Sequence, residues 1–385
     1  MRAWQVLRAL AVNGKEIDLL TFGTRAELET HGETIRQICR RVDVVPQIIR
    51  SLSTGNDYAG RLWAGMFRTP YGVKRFRSNS MRAEIRSRLR NAEYDAVVCD
   101  TPYSSVNFPR SLPVPLAMST QNIEHILLQR YLAYEKGPIK RAYAWLEWRK
   151  LRRWERDACS WASVVVVCSE HDRAAMLEIC PRASIVVAPN IVEIDDYSIA
   201  GLESGPTMLY VGTLGWYPNR DAVDFFVQEI LPHIRRELPS ARFVVVGRGA
   251  SEQFRRRLAG IAGVEVVGEV PDVRTEIAKA ALCVVPLRIG SGTRLKILEA
   301  AAMAKAIVST HVGAEGLNFV DGREIVLADE PRSFARAAVS LLTDPCRRRE
   351  LGFLARKRVE EQYSFPVLRA AVHEMLAELG REAQR

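Results

Sequence analysis

The sequence predicts an α/β protein made of two doubly wound, parallel-sheet domains, and three observations carry that prediction. Short apolar runs alternate with helix-period segments along most of the chain. The alternation lapses once, in a polar stretch rich in Pro, Asn, Asp, Ser and Gly, and then restarts. At 385 residues the chain also exceeds the usual span of one domain, roughly 100 to 200 residues. Parallel strands need long crossovers that lay helices over both sheet faces, so alternation of this kind reads as βαβ units.

In chain order, the first element is an amphipathic helix with Trp4, Leu7, Leu10 and Ala11 on one stripe and Arg2, Arg8 and Asn13 off it. Gly14 follows as a C-cap. Strands are expected at 16–22, 96–99, 114–119, 163–168 and 184–188. Periodicity is lost over 189–206, where a linker is placed at 191–206 between an N-terminal domain, 1–190, and a second domain, 207–362. Strands resume at 208–211, 242–246, 264–267, 282–286 and 306–309, with helical segments between them, which gives a second doubly wound domain.

Hydrophobic residues at 48% and charged residues at 26% supply two cores and exclude a disordered chain. Seven cysteines, odd in number and scattered without a CxxC pair, argue against zinc and disulfide frameworks and fit a reducing cytoplasm. No apolar run reaches membrane-spanning length and no leader-like segment opens the chain. A formal net charge of +10 calls for an anionic partner: nucleic acid, a membrane surface or a phosphorylated substrate.

The chemistry concentrates in CVVPLRIGSGTRLKILEAAAMAKAIVST, residues 283–310, which reads as buried strand, glycine-rich turn, helix and buried strand. Gly290 and Gly292 let the backbone approach a ligand, and a helix opening near Thr293 offers free N–H groups to an anion. Arg294 and Lys296 add positive charge, and charge-assisted hydrogen bonds of this type contribute about 1.5–3 kcal/mol each. Glu299 shares a face with Lys296. A carboxylate beside a diphosphate suits the vicinal hydroxyls of a ribose. Spacing alone leaves a solvated helix surface equally open.

This run resembles the nucleotide-binding signature of retaining GT-B glycosyltransferases of the group 1, or family 4, set, and is similar to a capsule and exopolysaccharide branch carrying G-S-G-T-R-x-K-x-x-E. The usual pattern places two glutamates eight positions apart. Glu299 matches the second, and Ser291 stands where the first would be. The resemblance implies that Arg294 and Lys296 hold the diphosphate and act in catalysis, that Glu299 binds ribose, and that Gly290, Ser291, Gly292 and Thr293 line the donor site. LYVGTLGWYPNRDAVDFF, FVVVGRGA and STHVGAEGLNF extend the match over most of the second domain. On it, Gly212, Thr213 and Leu214 face the donor phosphates, and Gly268 and Val270 face the base. Asn219 reads as an N-cap. Gly247 and Gly249 make a lone G-x-G, too weak for a nicotinamide fingerprint.

The resemblance further implies two domains facing a cleft, an acceptor side in the N-terminal domain, and a C-terminal helix at 363–385 crossing back toward it. Similar transferases open with a strand and glycine-rich turn ahead of such a first helix; this sequence starts at the helix, so a domain without its first strand is expected. STQNIEHILLQRYL follows a middle strand and supplies Asn122, Glu124 and His125, with Gln121 where many relatives carry histidine. Glu124 is a candidate catalytic carboxyl; it and His125 also read as ordinary helix-start residues. No metal-ligand cluster or Asp-x-Asp motif occurs, so metal-independent transfer is expected, with no cofactor.

Residues 140–161 mix Arg, Lys and Trp at helical spacing, which suits either an anionic membrane or tryptophans packed on the sheet with solvated arginines. The expected function is transfer of a sugar from a nucleoside-diphosphate donor to a lipid-linked or saccharide acceptor in cell-surface polysaccharide or glycolipid synthesis, in the cytoplasm at the inner face of the membrane. A nucleotide-sugar 2-epimerase and a non-catalytic nucleotide-sugar-binding protein are the alternatives. Nucleic acid is not expected as a partner, because no aromatic platform or helix-turn-helix signal accompanies the charge.

Overall fold

In the computed structural model, residues 2–46, 68–91, 93–199, 201 and 205–383 are described. The chain forms two compact units, Met1–Pro189 together with Phe365–Arg385, and Asn190–Ser364.

In the first unit, β3 (Val97–Cys99), β4 (Leu116–Ser119), β5 (Val164–Val167) and β6 (Ile185–Val187) form a parallel sheet in that order. Every residue of β4 and β5 is buried, as expected of parallel strands covered on both faces. A parallel pair, β1 (Asp18–Phe22) and β2 (Arg41–Val45), is a separate sheet. β4 begins later than the run 114–119 suggests because Pro113 and Pro115 interrupt the ladder there.

The N-terminal helix Arg2–Val12 ends as expected at Gly14, φ +72°, where Gly14 N–H bonds to Ala11 O and Lys15 N–H to Leu10 O. Paired bonds of this kind close a helix on a left-handed residue. Its polar side is not solvated as the stripe suggests. Arg2 is buried and donates to Ala188 O at 2.9 Å, Arg8 lies 4.7 Å over the Phe365 ring, and Asn13 donates to Arg369 O. The Arg8 and Asn13 contacts dock it on the last helix, Phe365–Ala383, which also packs on β4, β5 and β6.

The second unit is a six-stranded parallel sheet, ordered β12-β11-β10-β7-β8-β9, built from β7 (Thr207–Val211), β8 (Arg242–Val246), β9 (Val264–Gly268), β10 (Leu282–Val285), β11 (Ala306–Ser309) and β12 (Val326–Leu327). Its core is one continuous cluster containing Tyr210, Phe226, Phe243 and Phe334; the Phe226 and Phe243 rings lie 4.2 Å apart. The stretch read as a linker is packed at its start, with Ile191 and Val192 buried; residues 200 and 202–204 lie outside the described residues. Tyr363 belongs to this unit, its hydroxyl accepting the Asn318 N–H at 2.6 Å.

The strand order reverses between β7 and β10: β8 and β9 extend one way, β11 and β12 the other. In open α/β sheets, ligands bind beyond the carboxyl ends of the two strands that flank such a reversal. Residues 212–214, after β7, and 286–294, after β10, occupy that position.

Candidate active site

At this reversal Lys296 is held by groups from β7 and the helix that follows it, Tyr217–Phe225. Its Nζ lies 2.9 Å from the Tyr210 hydroxyl and 3.1 Å from Asn219 Oδ1. Tyr210 donates to the same Asn219 oxygen at 2.7 Å, and Asn219 Nδ2 donates to Thr213 O at 2.9 Å. Asn219 is therefore not the N-cap that its position suggested; Trp216 takes that place, and Asn219 ties the β7 loop to the lysine. Burial, followed by the nearby Arg294 charge, pushes Lys296 down to about 7, against a smaller opposing effect of Glu299. A Cβ at Gly212 would stand 2.9 Å from Nζ, so glycine there is what admits the ammonium.

Arg294 is buried, and its guanidinium folds onto its own loop, donating to the carbonyls of Ser291, Gly292 and Val312. A Cβ at Gly290 would collide with it. The helix opens at Leu295, two residues later than the sequence suggested, and its N-cap, Arg294, offers no side-chain acceptor; helix N-termini carry a positive dipole end that favours anions. Thr293 Oγ1 accepts from Asn190 Nδ2 at 2.7 Å. Glu299 accepts from the Tyr197 hydroxyl at 3.4 Å; burial raises its carboxyl, opposed by that bond and by Lys296. Arg288 makes a two-pronged pair with Asp221, at 2.7 and 3.1 Å, and fixes the β10 loop to the helix Tyr217–Phe225.

The expected donor residues thus fall into distinct places. Gly212, Thr213, Arg294 and Lys296 gather at the strand reversal, with Gly290, Ser291, Gly292 and Thr293 forming the loop between. Leu214 is fully buried and gives its N–H to Arg248 O. Gly268, φ +90°, ends β9 and accepts from Gly247 N–H at 2.7 Å, and Val270 packs on the core beside it. Sequence reasoning missed Tyr210, Tyr197, Asn190 and the Arg288–Asp221 pair, none of which carries a motif.

In the first unit, the loops leaving β3 and β4 line a cavity of about 220 Å³ through Thr101, Pro102, Tyr103, Gln121, Asn122 and Glu124. The Glu124 carboxyl bonds with Tyr103 and Asn122, and burial, then the neighbouring Glu155, pushes it up to about 7. Glu155, fully buried on the helix Pro138–Trp161, accepts the N–H groups of Glu124 and His125 at 2.8 and 2.9 Å and lies 2.8 Å from His125 Nδ1. It caps the helix Glu124–Tyr134, whose own N-cap, Ile123, offers no side-chain acceptor. His125 is accordingly buried and engaged rather than a surface residue. Gln121 Nε2 donates to Asp100 at 3.2 Å, and burial raises the Asp100 carboxyl. Among the described residues, no group of three or more His, Cys, Asp or Glu could hold a metal ion, and no helix is long and apolar enough to cross a membrane.

A family profile described as Glycosyl transferases group 1 matches residues 205–344, and one described as Glycosyltransferase Family 4 matches residues 1–196, just over half of the chain. The chain belongs to glycosyltransferase family 4. An uncharacterized 44.6 kDa protein in the cps region of Klebsiella pneumoniae is 22% identical to this family 4 glycosyltransferase over 377 residues, covering 93% of this chain and 90% of that one. Sucrose-phosphate synthase from Thermosynechococcus elongatus superposes with a TM-score of 0.72 at 16% identity, over 99% of this chain and 93% of that one. Anabaena HepE, solved in complex with UDP and glucose, gives 0.63 at 13% identity, over 97% and 95%. These likenesses show the GT-B fold, with two Rossmann-like domains.

Proposed function

We propose that this glycosyltransferase transfers a sugar, with retention of anomeric configuration, from a nucleoside-diphosphate donor to a hydroxyl acceptor, in synthesis of cell-surface polysaccharide or glycolipid. The observation that carries the reading is Lys296, a buried amine held by Tyr210 and Asn219 at the strand reversal beside Arg294. The HepE complex with UDP and glucose and the cps-region relative support the donor class and the pathway class.

In this reading Lys296, Arg294 and the N-terminus of the helix Leu295–Ala302 stabilise the charge that develops on the departing diphosphate. Glu299, held by Tyr197, accepts the ribose hydroxyls. Gly212, Thr213 and Leu214 border the phosphates, Ser291 and Thr293 border the sugar, and Gly268 and Val270 border the base. The acceptor hydroxyl binds in the cavity of the first unit, where Glu124 takes its proton. The anomeric C–O bond breaks toward the diphosphate, and the acceptor oxygen adds from the same face. The acceptor is lipid-linked or saccharide, and the enzyme works in the cytoplasm at the inner face of the membrane.

The test is to incubate the chain with UDP-, GDP-, ADP- and dTDP-sugars and lipid-linked acceptors, and to determine the product linkage by NMR. Retained configuration is expected. Inversion would overturn the mechanism, donor conversion without acceptor would indicate an epimerase, and donor binding without turnover would indicate a non-catalytic protein.

A further inference from the structure

On the helix Pro138–Trp161 the exposed charges are mostly basic, with Asp157 the exposed acid. Its two glutamates in the helix body face inward: Glu147 accepts the Tyr71 N–H at 2.7 Å and Lys150 Nζ at 3.0 Å, while Glu155 caps the neighbouring helix. The opposite stripe carries Arg141, Trp145, Arg149 and Arg152, three and four residues apart and all exposed. Arg156 continues it, paired with Asp157 at 2.7 Å. Trp145 is 48% exposed, with the Arg149 guanidinium 4.9 Å from its ring centroid. The turn into this helix adds Tyr134 at 42% and Ile139 at 82% exposure, flanked by exposed Lys136 and Lys140.

Large apolar side chains this open, set among basic residues that outnumber the nearby acids Glu135 and Asp157, are costly in water and are used where a surface meets a partner. A helix that presents basic residues with Trp and Ile, but is too polar to span a bilayer, matches the interface between headgroups and acyl chains. Arginine and lysine gain there from the negative surface potential, and tryptophan from its amphipathic ring. We propose that this face, with the adjoining turn at 134–140, docks the protein on a bilayer containing anionic phospholipid. The occupant is chosen by charge complementarity and by the apolar residues at the tip, which a nucleic-acid backbone would leave unused.

The proposal specifies the membrane contact in the function proposed above, but it is scored without sugar transfer, so that failure of one is separable from failure of the other. The full chain is floated with phosphatidylcholine vesicles with and without phosphatidylglycerol, in low and high salt. Binding is expected only with phosphatidylglycerol and should weaken in high salt. Arg149→Glu combined with Arg152→Glu should reduce it by at least about tenfold. Trp145→Ala combined with Ile139→Ser should reduce binding that persists at high salt. Arg256→Glu, on the exposed helix Glu252–Ala259 of the second unit, should leave it unchanged, and all variants should keep wild-type nucleoside-diphosphate affinity. Equal binding to both vesicle types, or retention by the Arg149/Arg152 double variant, overturns the proposal. Salt-sensitive binding to single-stranded RNA without vesicle binding replaces it with a nucleic-acid surface.

Discussion

Lys296 Nζ and the Tyr210 hydroxyl lie 2.9 Å apart, joining residues 86 positions apart in the chain, one on β7 and the other on the helix that follows the neighbouring strand β10. The lysine is thereby held among neutral dipoles in a site that disfavours its charge, and it sits at about 7. In the proposed function, the diphosphate of the donor adds negative charge beyond the smaller effect of Glu299.

Diphosphate binding is therefore predicted to take up a proton. The free lysine, depressed from its ordinary 10.5, is largely neutral at pH 8 and becomes charged in the complex. Affinity should fall by up to about tenfold per pH unit above 7. Calorimetry at pH 8 in two buffers of different ionisation enthalpy measures the uptake, which Lys296→Met should abolish. Equal heats in both buffers for the wild-type chain would count against it.

Glu124 titrates with the opposite consequence for stability. Its folded value of about 7 lies above the ordinary 4.5, so its contribution is fully present below 4.5 and is lost as pH rises through 7. Glu124→Gln should accordingly raise Tm at pH 8, with the gain shrinking toward zero by pH 4. If Glu124 accepts the acceptor proton, the same variant should lose about 100-fold in kcat and also lose the rise of kcat through pH 7.

Arg294→Ala should lower the transfer rate by roughly 10–1000-fold. Gly290→Ala should act in the same direction without removing the charge, because the added Cβ displaces the guanidinium from its loop carbonyls. Steady-state kinetics on both variants checks this; a wild-type rate in Arg294→Ala would remove that residue from the mechanism.

Tyr197→Phe deletes one long hydrogen bond to the Glu299 carboxyl, and donor KM should rise about threefold to tenfold with kcat little changed. Glu299→Gln should have a larger effect. A donor lacking the 2′-hydroxyl should flatten the difference between wild type and Glu299→Gln, since the bond at issue is then already absent.

The long apolar strands of both units were legible because burial on two faces leaves no alternation to misread: β5 is four valines and β10 reads Leu-Cys-Val-Val. β2 escaped notice because Asp43 interrupts its apolar run, an acid that the fold pairs with Arg41 of the same strand and with Arg88 from the helix Asn79–Asn91. β12, two half-buried residues, is too short to carry a period. The glycine-rich loop with Arg294, Lys296 and Glu299 was visible as a local motif. What encloses those residues was not, since Tyr210 and Asn219 meet Lys296 only through the order β10-β7, and Tyr197 meets Glu299 from 102 residues away. Glu155 is a similar case, a helix cap supplied from another helix where sequence rules look for one at Ile123.

In the function proposed above, the loop from Gly290 to Lys296 binds the diphosphate of a nucleotide sugar. Calorimetric titration of UDP, GDP, ADP and dTDP into the full wild-type chain and into Arg294→Ala tests it most directly. One diphosphate should bind the wild-type chain and lose at least about tenfold in affinity to the variant. Binding of none, or equal binding by both chains, would contradict it.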